Sequence, residues 1–169
     1  MIIDTHVHIG KMLVFDMPPE NVLYSMDKYG IDFSLVSNIE CAENDHNGNP
    51  VPQNLQKSQN AVLEKTLEFA RANPDKIGVL PWLKIRQERP DAEFIRMIAD
   101  NRDIIYGLKL HPFHSITAPD DESLESVYKL AAEYIKNTKI EVAFVSTNSI
   151  CQGAQVPILW NVIFNDYGF

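Results

Sequence analysis

Residues 1–10 read MIIDTHVHIG, and this stretch decides how the rest of the chain is interpreted. Its apolar residues, interleaved with polar ones, predict a first β-strand over Ile2–His8. Side chains two apart on a strand point to the same side, so His6 and His8 project together, with Asp4 one layer below. Two imidazoles on one face make half of a metal site, because zinc, iron and manganese accept neutral histidine nitrogens. The alternative is a pair of hydrogen-bonded core histidines.

Short β-rich runs alternate with longer amphipathic ones outward from this stretch, which is typical of βα units around a parallel sheet. Further strands are predicted over Phe33–Ile39, Ile77–Ile85, Ile104–His111 and Ile140–Val145. Helices are predicted from Pro19 to Gly30, from Ser58 to Ala72, after Asp91 with Phe94, Ile95, Ile98 and Ala99 inward, and over residues 124–135. The glycines and prolines of residues 41–54 exclude regular structure from that long loop.

This order of elements fits either a doubly wound open sheet or a (β/α) barrel. A complete eight-unit barrel needs about 250 residues. The 169 residues here therefore predict an α/β protein: an incomplete TIM-type (β/α)₈ barrel of about five βα units with parallel strands. We expect a single domain over residues 1–169, in which residues 1–140 hold the βα units and residues 141–169 form an atypical apolar segment.

Composition narrows the classes of partner. The net charge of −8 argues against nucleic acid, because phosphate binding needs a basic patch. No run approaches the roughly 18 apolar residues of a membrane span, and the first residues lack the pattern of a secretory signal. Cys41 and Cys151 are far apart and in no metal-binding or redox spacing. We therefore expect a cytoplasmic protein that acts on a small molecule.

Charged residues become rare near the C-terminus. No Lys or Arg follows Lys139, and from residue 142 onward Asp166 is the only charged residue. One interpretation is an apolar cap over an open sheet edge. The other is a truncated or frame-shifted end.

The fourth predicted strand ends in GLKLHP, residues 107–112. Alternation places Gly107, Lys109 and His111 on one face. A buried lysine is unfavourable unless it is paired or modified, so Lys109 is either a functional group or a salt-bridged strut. His111 lies at the strand end, where it is a candidate for contacting substrate or a metal-bound water, and His114 is a weaker one.

Two other residues have both a functional and a structural interpretation. His46 in the long loop is expected to be solvated, although such loops line the active sites of barrels. Trp82 at the end of the third strand either lines the pocket or packs in the core.

IDTHVHIG on a first strand, followed by βα units and GLKLHP on a fourth, resembles the amidohydrolase superfamily. The resemblance is greatest to the amidohydrolase-related (amidohydrolase 2) group of metal-dependent hydrolases and decarboxylases, over about residues 1–140. It implies a (β/α)₈ barrel and a divalent metal, commonly zinc, with His6 and His8 matching the first two ligands. In binuclear members a carboxylated fourth-strand lysine bridges two metals, and Lys109 stands on that strand. The implied reaction is attack of activated water on an amide, ester or lactone, or metal-assisted decarboxylation.

The sequence also departs from the family pattern. A fifth-strand histidine is expected where EVAFVST places Val145 or Ser146, and no histidine follows residue 114. Asp166 is too near the terminus to be the aspartate of an eighth strand. Two ligands alone bind metal less tightly than three or four.

The motifs and their departures from the family pattern leave three functions to weigh. The first is a metal-dependent hydrolase, with Lys109 and His111 as catalytic residues, which is inactive if the chain is truncated. The second is a non-catalytic barrel remnant that forms homo-oligomers through its open edges. The third, a multi-metal phosphoesterase with a first-strand H-x-H, needs further His and Asp clusters, which the sequence lacks.

Overall fold

The computed structural model describes residues 1–118, 121–125 and 128–129. The chain divides into two units, Met1–Ile116 and Thr117–Phe169. In the described part of the second unit, Glu122–Leu124 form a 3₁₀ turn, and Lys129 pairs with Glu125 at 2.6 Å. No helix in the described residues is long and apolar enough to cross a membrane. The expectation of a single domain stays a prediction.

The first unit has a four-stranded sheet flanked by helices. In chain order its elements are β1 (Ile3–Met12), β2 (Phe15–Met17), α1 (Pro19–Tyr29), β3 (Phe33–Asn38), α2 (Gln59–Arg71), β4 (Ile77–Val79), α3 (Ala92–Asp100) and α4 (Pro112–Ser115). The strand order is β2-β1-β3-β4. Strands β1, β3 and β4 are parallel, and β2 is antiparallel to β1. The α/β class is confirmed, and the predicted strands β1, β3 and β4 are parallel as expected; the sheet is mixed because β2, which the sequence does not predict, is antiparallel to β1.

Strand β1 is longer than the predicted Ile2–His8. It runs to Met12 because the chain turns back at Leu13, with a positive φ of 51°, and β2 pairs with the end of β1. Lys11 and Asp16 face each other across this hairpin at 2.6 Å. The predicted second strand is confirmed as β3, one residue shorter than expected.

The helices begin and end close to where the sequence predicts. Helix α1 has Pro19 in its first turn and ends at Gly30, which adopts a left-handed φ of 67°. Helix α2 buries an apolar stripe against the sheet. Asp91 caps α3 by accepting a hydrogen bond from Phe94 N. Phe94 is buried in α3, but Ile95 is exposed, so the predicted inward face is too wide.

Ala99 is also exposed, which leaves Ile98 as the second buried residue of α3.

The long loop is more regular than expected. It holds 3₁₀ turns at Ile39–Cys41 and Gln53–Leu55 and an isolated bridge between Asn44 and Pro50. The loop folds in this way because its apolar residues join the core: Cys41, Ala42 and Val51 pack with Met12, Val62 and Trp82.

The third and fourth predicted strands are shorter than the sequence indicates. Regular pairing of β4 ends at Val79, and Pro81, two residues on, has no N–H to donate. This part of the chain pairs with residues 104–111 through two isolated parallel bridges, Val79 with Ile105 before Pro81 and Trp82 with Lys109 after it. These bridges still align the predicted fourth strand beside β4. Most of the predicted fourth helix, the fifth strand and residues 141–169 lie outside the described residues.

Candidate functional site

The two first-strand histidines point to the same side of β1. Their Nε2 atoms lie 3.0 Å apart and their ring centroids 4.9 Å apart. The register of β1 against β3 shifts between Asp4 and Val7, within the segment that carries His6. The side-chain Oδ1 of Asp4 accepts a hydrogen bond from the main-chain N of His6 at 3.0 Å. These residues line an open depression with Val7, Phe15 and Met17.

The side chain of Lys109, on the fourth predicted strand, extends to the two first-strand histidines. The main-chain N of Lys109 donates to Pro81 O at 2.8 Å, and its main-chain O accepts from Leu83 N at 2.9 Å. The Nζ atom lies 3.1 Å from Nε2 of His6. Burial lowers the pKa of Lys109, and no carboxylate of the described residues offsets this effect. Among the described residues, Lys109 thus has no partner for the salt bridge that the sequence allowed.

Trp82 separates the two pairs of histidines. Its side chain is 4% exposed, and its ring contacts His8 edge-on at 5.4 Å between centroids. On the other side it stacks on His111 at 5.4 Å, with an interplanar angle of 5°. The Nζ of Lys109 lies 6.0 Å from the Trp82 ring centroid. Trp82 thus combines the two interpretations open from sequence, because it is a core residue that also contacts the site.

The site favours neutral imidazoles. Burial, followed by the charge of Lys109, lowers the pKa of His8 to about 4. Burial, followed by His114 and Lys109, lowers the pKa of His111 to about 4. The pKa of His6 is also lowered, first by burial and then by Lys109, although Asp4 opposes the shift. At neutral pH His8 and His111 are unprotonated, so each has a nitrogen lone pair.

His114 is fixed by a residue that the sequence analysis did not single out. Its Nδ1 lies 2.6 Å from the main-chain O of Asn44, and Nδ2 of Asn44 donates to the main-chain O of His114 at 2.7 Å. Asn44 is 5% exposed. No local pattern marks this contact, which joins residues 70 positions apart. His46, by contrast, is exposed as expected, and its ring lies beside Asn47 Nδ2.

The donor set can be compared with what a divalent metal requires. Two nitrogens bound to one tetrahedral zinc are about 3.3 Å apart, given bonds of about 2.0–2.1 Å. The 3.0 Å between the Nε2 atoms of His6 and His8 is close to this value. The two residues therefore fit as a pair of ligands. Within residues 1–118, 121–125 and 128–129, no group of three or more His, Cys, Asp or Glu side chains is arranged to hold a metal.

Solved structures with a similar fold are enzymes. The chain resembles the apo form of Metarhizium anisopliae IDCase with a TM-score of 0.55 and 12% identity, over 99% of this chain and 57% of that one. It resembles the 5-carboxyvanillate decarboxylase LigW from Sphingomonas paucimobilis with a TM-score of 0.53 and 16% identity, over 79% of this chain and 49% of that one. The chain thus spans about half the length of these structures. At such identities the likeness shows a shared fold.

The C-terminal part resembles a different kind of protein. Residues 120–168 match the model of a family described as MmeI, DNA-methyltransferase domain. A stretch of 37 residues is 54% identical to DNA methyltransferase A of Bacillus subtilis (strain 168), which is 22% of this chain and 4% of that protein. The family match begins close to the boundary between the two units, at residues 116 and 117. The chain is therefore similar to decarboxylase structures in fold and to DNA methyltransferases in its C-terminal sequence.

Proposed function

We propose that the first unit carries part of a metal-dependent hydrolase or decarboxylase site of the amidohydrolase type, on an incomplete (β/α)₈ barrel. His6 and His8 are its metal ligands, and the preferred ion is zinc. The observation that carries the proposal is the 3.0 Å approach of the two Nε2 atoms on one face of β1. The similar fold of a decarboxylase supports the same class of enzyme.

The electrostatics of the site are compatible with metal ligation. Metal ligation needs unprotonated imidazoles, and burial lowers the pKa of both His6 and His8. Two nitrogens, Nε2 of His8 and Nζ of Lys109, lie within 3.1 Å of Nε2 of His6, and a bound metal ion would replace the contact between Lys109 and His6. When bound, a divalent ion supplies Lewis acidity and an activated water.

Lys109 and His111 are proposed to contact the substrate. The ammonium of Lys109 is half-buried, has no carboxylate partner among the described residues and lies beside the metal ligands. It therefore favours a ligand oxygen with negative charge, such as a carboxylate or a polarised carbonyl. The flat face of Trp82 holds His111 in place by stacking. The proposed substrate is accordingly a small amide, ester, lactone or carboxylic acid, encountered in the cytoplasm.

Metal titration tests the proposal. Isothermal titration of the full chain with Zn²⁺ is expected to show one site, weaker than a site with three or four ligands. His6→Ala and His8→Ala should each weaken binding at least about tenfold, since even residues that only orient ligands contribute 10–100-fold. His46→Ala removes an exposed histidine and is the matched control. Equal affinities in all four proteins would contradict the proposal.

A self-associating module is the second candidate. Residues Ile3–Ile9 of β1 pair with β3 on one side only, because β2 pairs with residues 10–12, so one strand edge is open among the described residues. Open edges promote association. Sedimentation should then show a dimer that Thr5→Lys dissociates and Thr5→Ser does not, because a lysine on the edge opposes pairing. A monomer with tight, stoichiometric metal would favour the enzyme instead.

A further inference from the structure

The hydrogen bond between His114 and Asn44 determines which ring nitrogen of His114 carries a proton. The Nδ1 atom lies 2.6 Å from the main-chain O of Asn44. A carbonyl oxygen can only accept, so Nδ1 must carry the hydrogen. A neutral ring with its proton on Nδ1 has a lone pair on Nε2. His114 therefore presents a hydrogen-bond acceptor to the site.

His111 has the opposite constraint. It stands at the N-terminus of α4, where its Nδ1 accepts a hydrogen bond from the main-chain N of His114 at 3.4 Å. A main-chain N–H can only donate, so Nδ1 of His111 is unprotonated. The neutral ring then carries its proton on Nε2. His111 therefore presents a hydrogen-bond donor.

We infer that His111 and His114 are held in opposite tautomers and form a donor and acceptor pair for the substrate, with Asn44 as the residue that positions His114. Their ring centroids are 4.4 Å apart in an edge-to-face contact, so the donor of one ring and the acceptor of the other lie close together. The side chain of Asn44 donates to the main-chain O of His114, so two hydrogen bonds join these residues. The role in substrate binding rests on the proposed function, whereas the tautomers do not.

The two tautomers separate the roles of the two histidines. From sequence, His111 is the stronger candidate for contacting substrate or a metal-bound water. A ring whose Nε2 carries a proton cannot use that nitrogen as a ligand, so His111 suits the oxygen of a substrate, beside Lys109. His114, with its Nε2 lone pair, is the better acceptor for a hydroxyl or a water.

Nitrogen-15 NMR of the imidazole rings measures the tautomers directly. In the uniformly labelled full chain, treated with a chelator at pH 7.5, His111 is expected as the Nε2–H form and His114 as the Nδ1–H form. The exposed ring of His46 is the internal reference for a mixture of the two. The same tautomer at both positions, or averaging like that of His46, would overturn the inference. Because no metal is present, this result is independent of the proposed function.

Variants separate positioning from stability. Asn44→Asp replaces the donor to the His114 carbonyl by an acceptor, so the tautomer of His114 should shift toward the mixture while that of His111 is unchanged. His114→Asn keeps an N–H for the Asn44 carbonyl and removes Nε2, so it should fold like the parent chain. If Asn44→Asp does not fold, the NMR spectrum of the parent chain still decides. An unchanged His114 tautomer in folded Asn44→Asp would exclude the side chain of Asn44 as the group that positions His114.

Discussion

Glu43 is a single buried side chain that joins the long loop to the segment after Trp82. It is 2% exposed, and its carboxylate accepts hydrogen bonds from the main-chain N of Ile85, Arg86 and Gln87 at 3.0, 2.9 and 2.7 Å. The segment it holds begins three residues after Trp82. One carboxylate thus ties the long loop to the chain that positions the central tryptophan.

Replacing Glu43 should be strongly destabilising. Glu43→Ala leaves three main-chain donors without their acceptor; Ile85 is buried, where an unsatisfied group costs about 1–3 kcal/mol, whereas water can reach the exposed Arg86 and Gln87. We expect the free energy of unfolding, measured in urea, to fall by about 1–3 kcal/mol. Exposed Glu64→Ala on α2 is the control and should change it by less than about 0.5 kcal/mol. Equal effects would show that the Glu43 contacts contribute nothing.

His111 should make the stability of the fold depend on pH. Its pKa is about 4 in the folded state, below the usual value of 6.5. The unfolded chain therefore binds the proton first, so the stability that His111 contributes is present above pH 6.5 and is lost as the pH falls toward 4. His111→Asn keeps an acceptor for His114 N and should flatten the dependence between these values in urea titrations. A profile unchanged from the parent chain would contradict the shift.

Elements differ in how far the sequence predicts them. Helices α1, α2 and α3 follow from local signals, namely the proline and glycine at the ends of α1, the apolar stripe of α2, and the Asp91 cap of α3. Strand β2 has only three residues, too few for a period to be visible. The third strand ends early because its pairing depends on residues 104–111, and no local pattern reports that partner. The shared face of His6 and His8 is local, whereas the contact of Asn44 with His114 is tertiary.

Gly10, within β1, allows the strand to pass close to the side chains of Asn38 and Glu40. Gly10 has a φ of 96°, and a Cβ there would lie 2.2 Å from Asn38 Oδ1 and 2.9 Å from Glu40 Cγ. Gly48 also has a positive φ, of 82°, but nothing lies within 4 Å of its added Cβ. Gly48→Ala should therefore lose only the backbone term, about 1–2 kcal/mol. Gly10→Ala should lose clearly more by thermal or urea unfolding, and equal losses would contradict the close packing.

The whole chain combines features of two kinds of protein. Its fold resembles decarboxylase structures, and residues 120–168 resemble part of a DNA-methyltransferase domain. The similarity to DNA methyltransferase A covers 37 residues, which is 4% of that protein, so it carries no activity over to this chain. We propose, as the sequence predicts, that the chain does not bind nucleic acid.

DNA binding tests this proposal at the scale of the molecule. The net charge is −8, and no Lys or Arg follows Lys139, so little of the C-terminal segment can neutralise phosphates. Fluorescence anisotropy with labelled duplex DNA, with and without S-adenosylmethionine, is expected to show no binding at 50 mM salt. Binding that weakens steeply with salt would contradict this expectation.

His6 and His8 are proposed to bind one metal ion together. X-ray absorption spectroscopy of the full chain loaded with one equivalent of Zn²⁺ tests this joint ligation. The predicted spectrum contains two imidazole nitrogens at about 2.0–2.1 Å, completed by oxygen ligands. That imidazole signal should be lost in a His6→Ala, His8→Ala double variant and kept in His46→Ala. A spectrum without imidazole scattering, or one unchanged in the double variant, would contradict the claim.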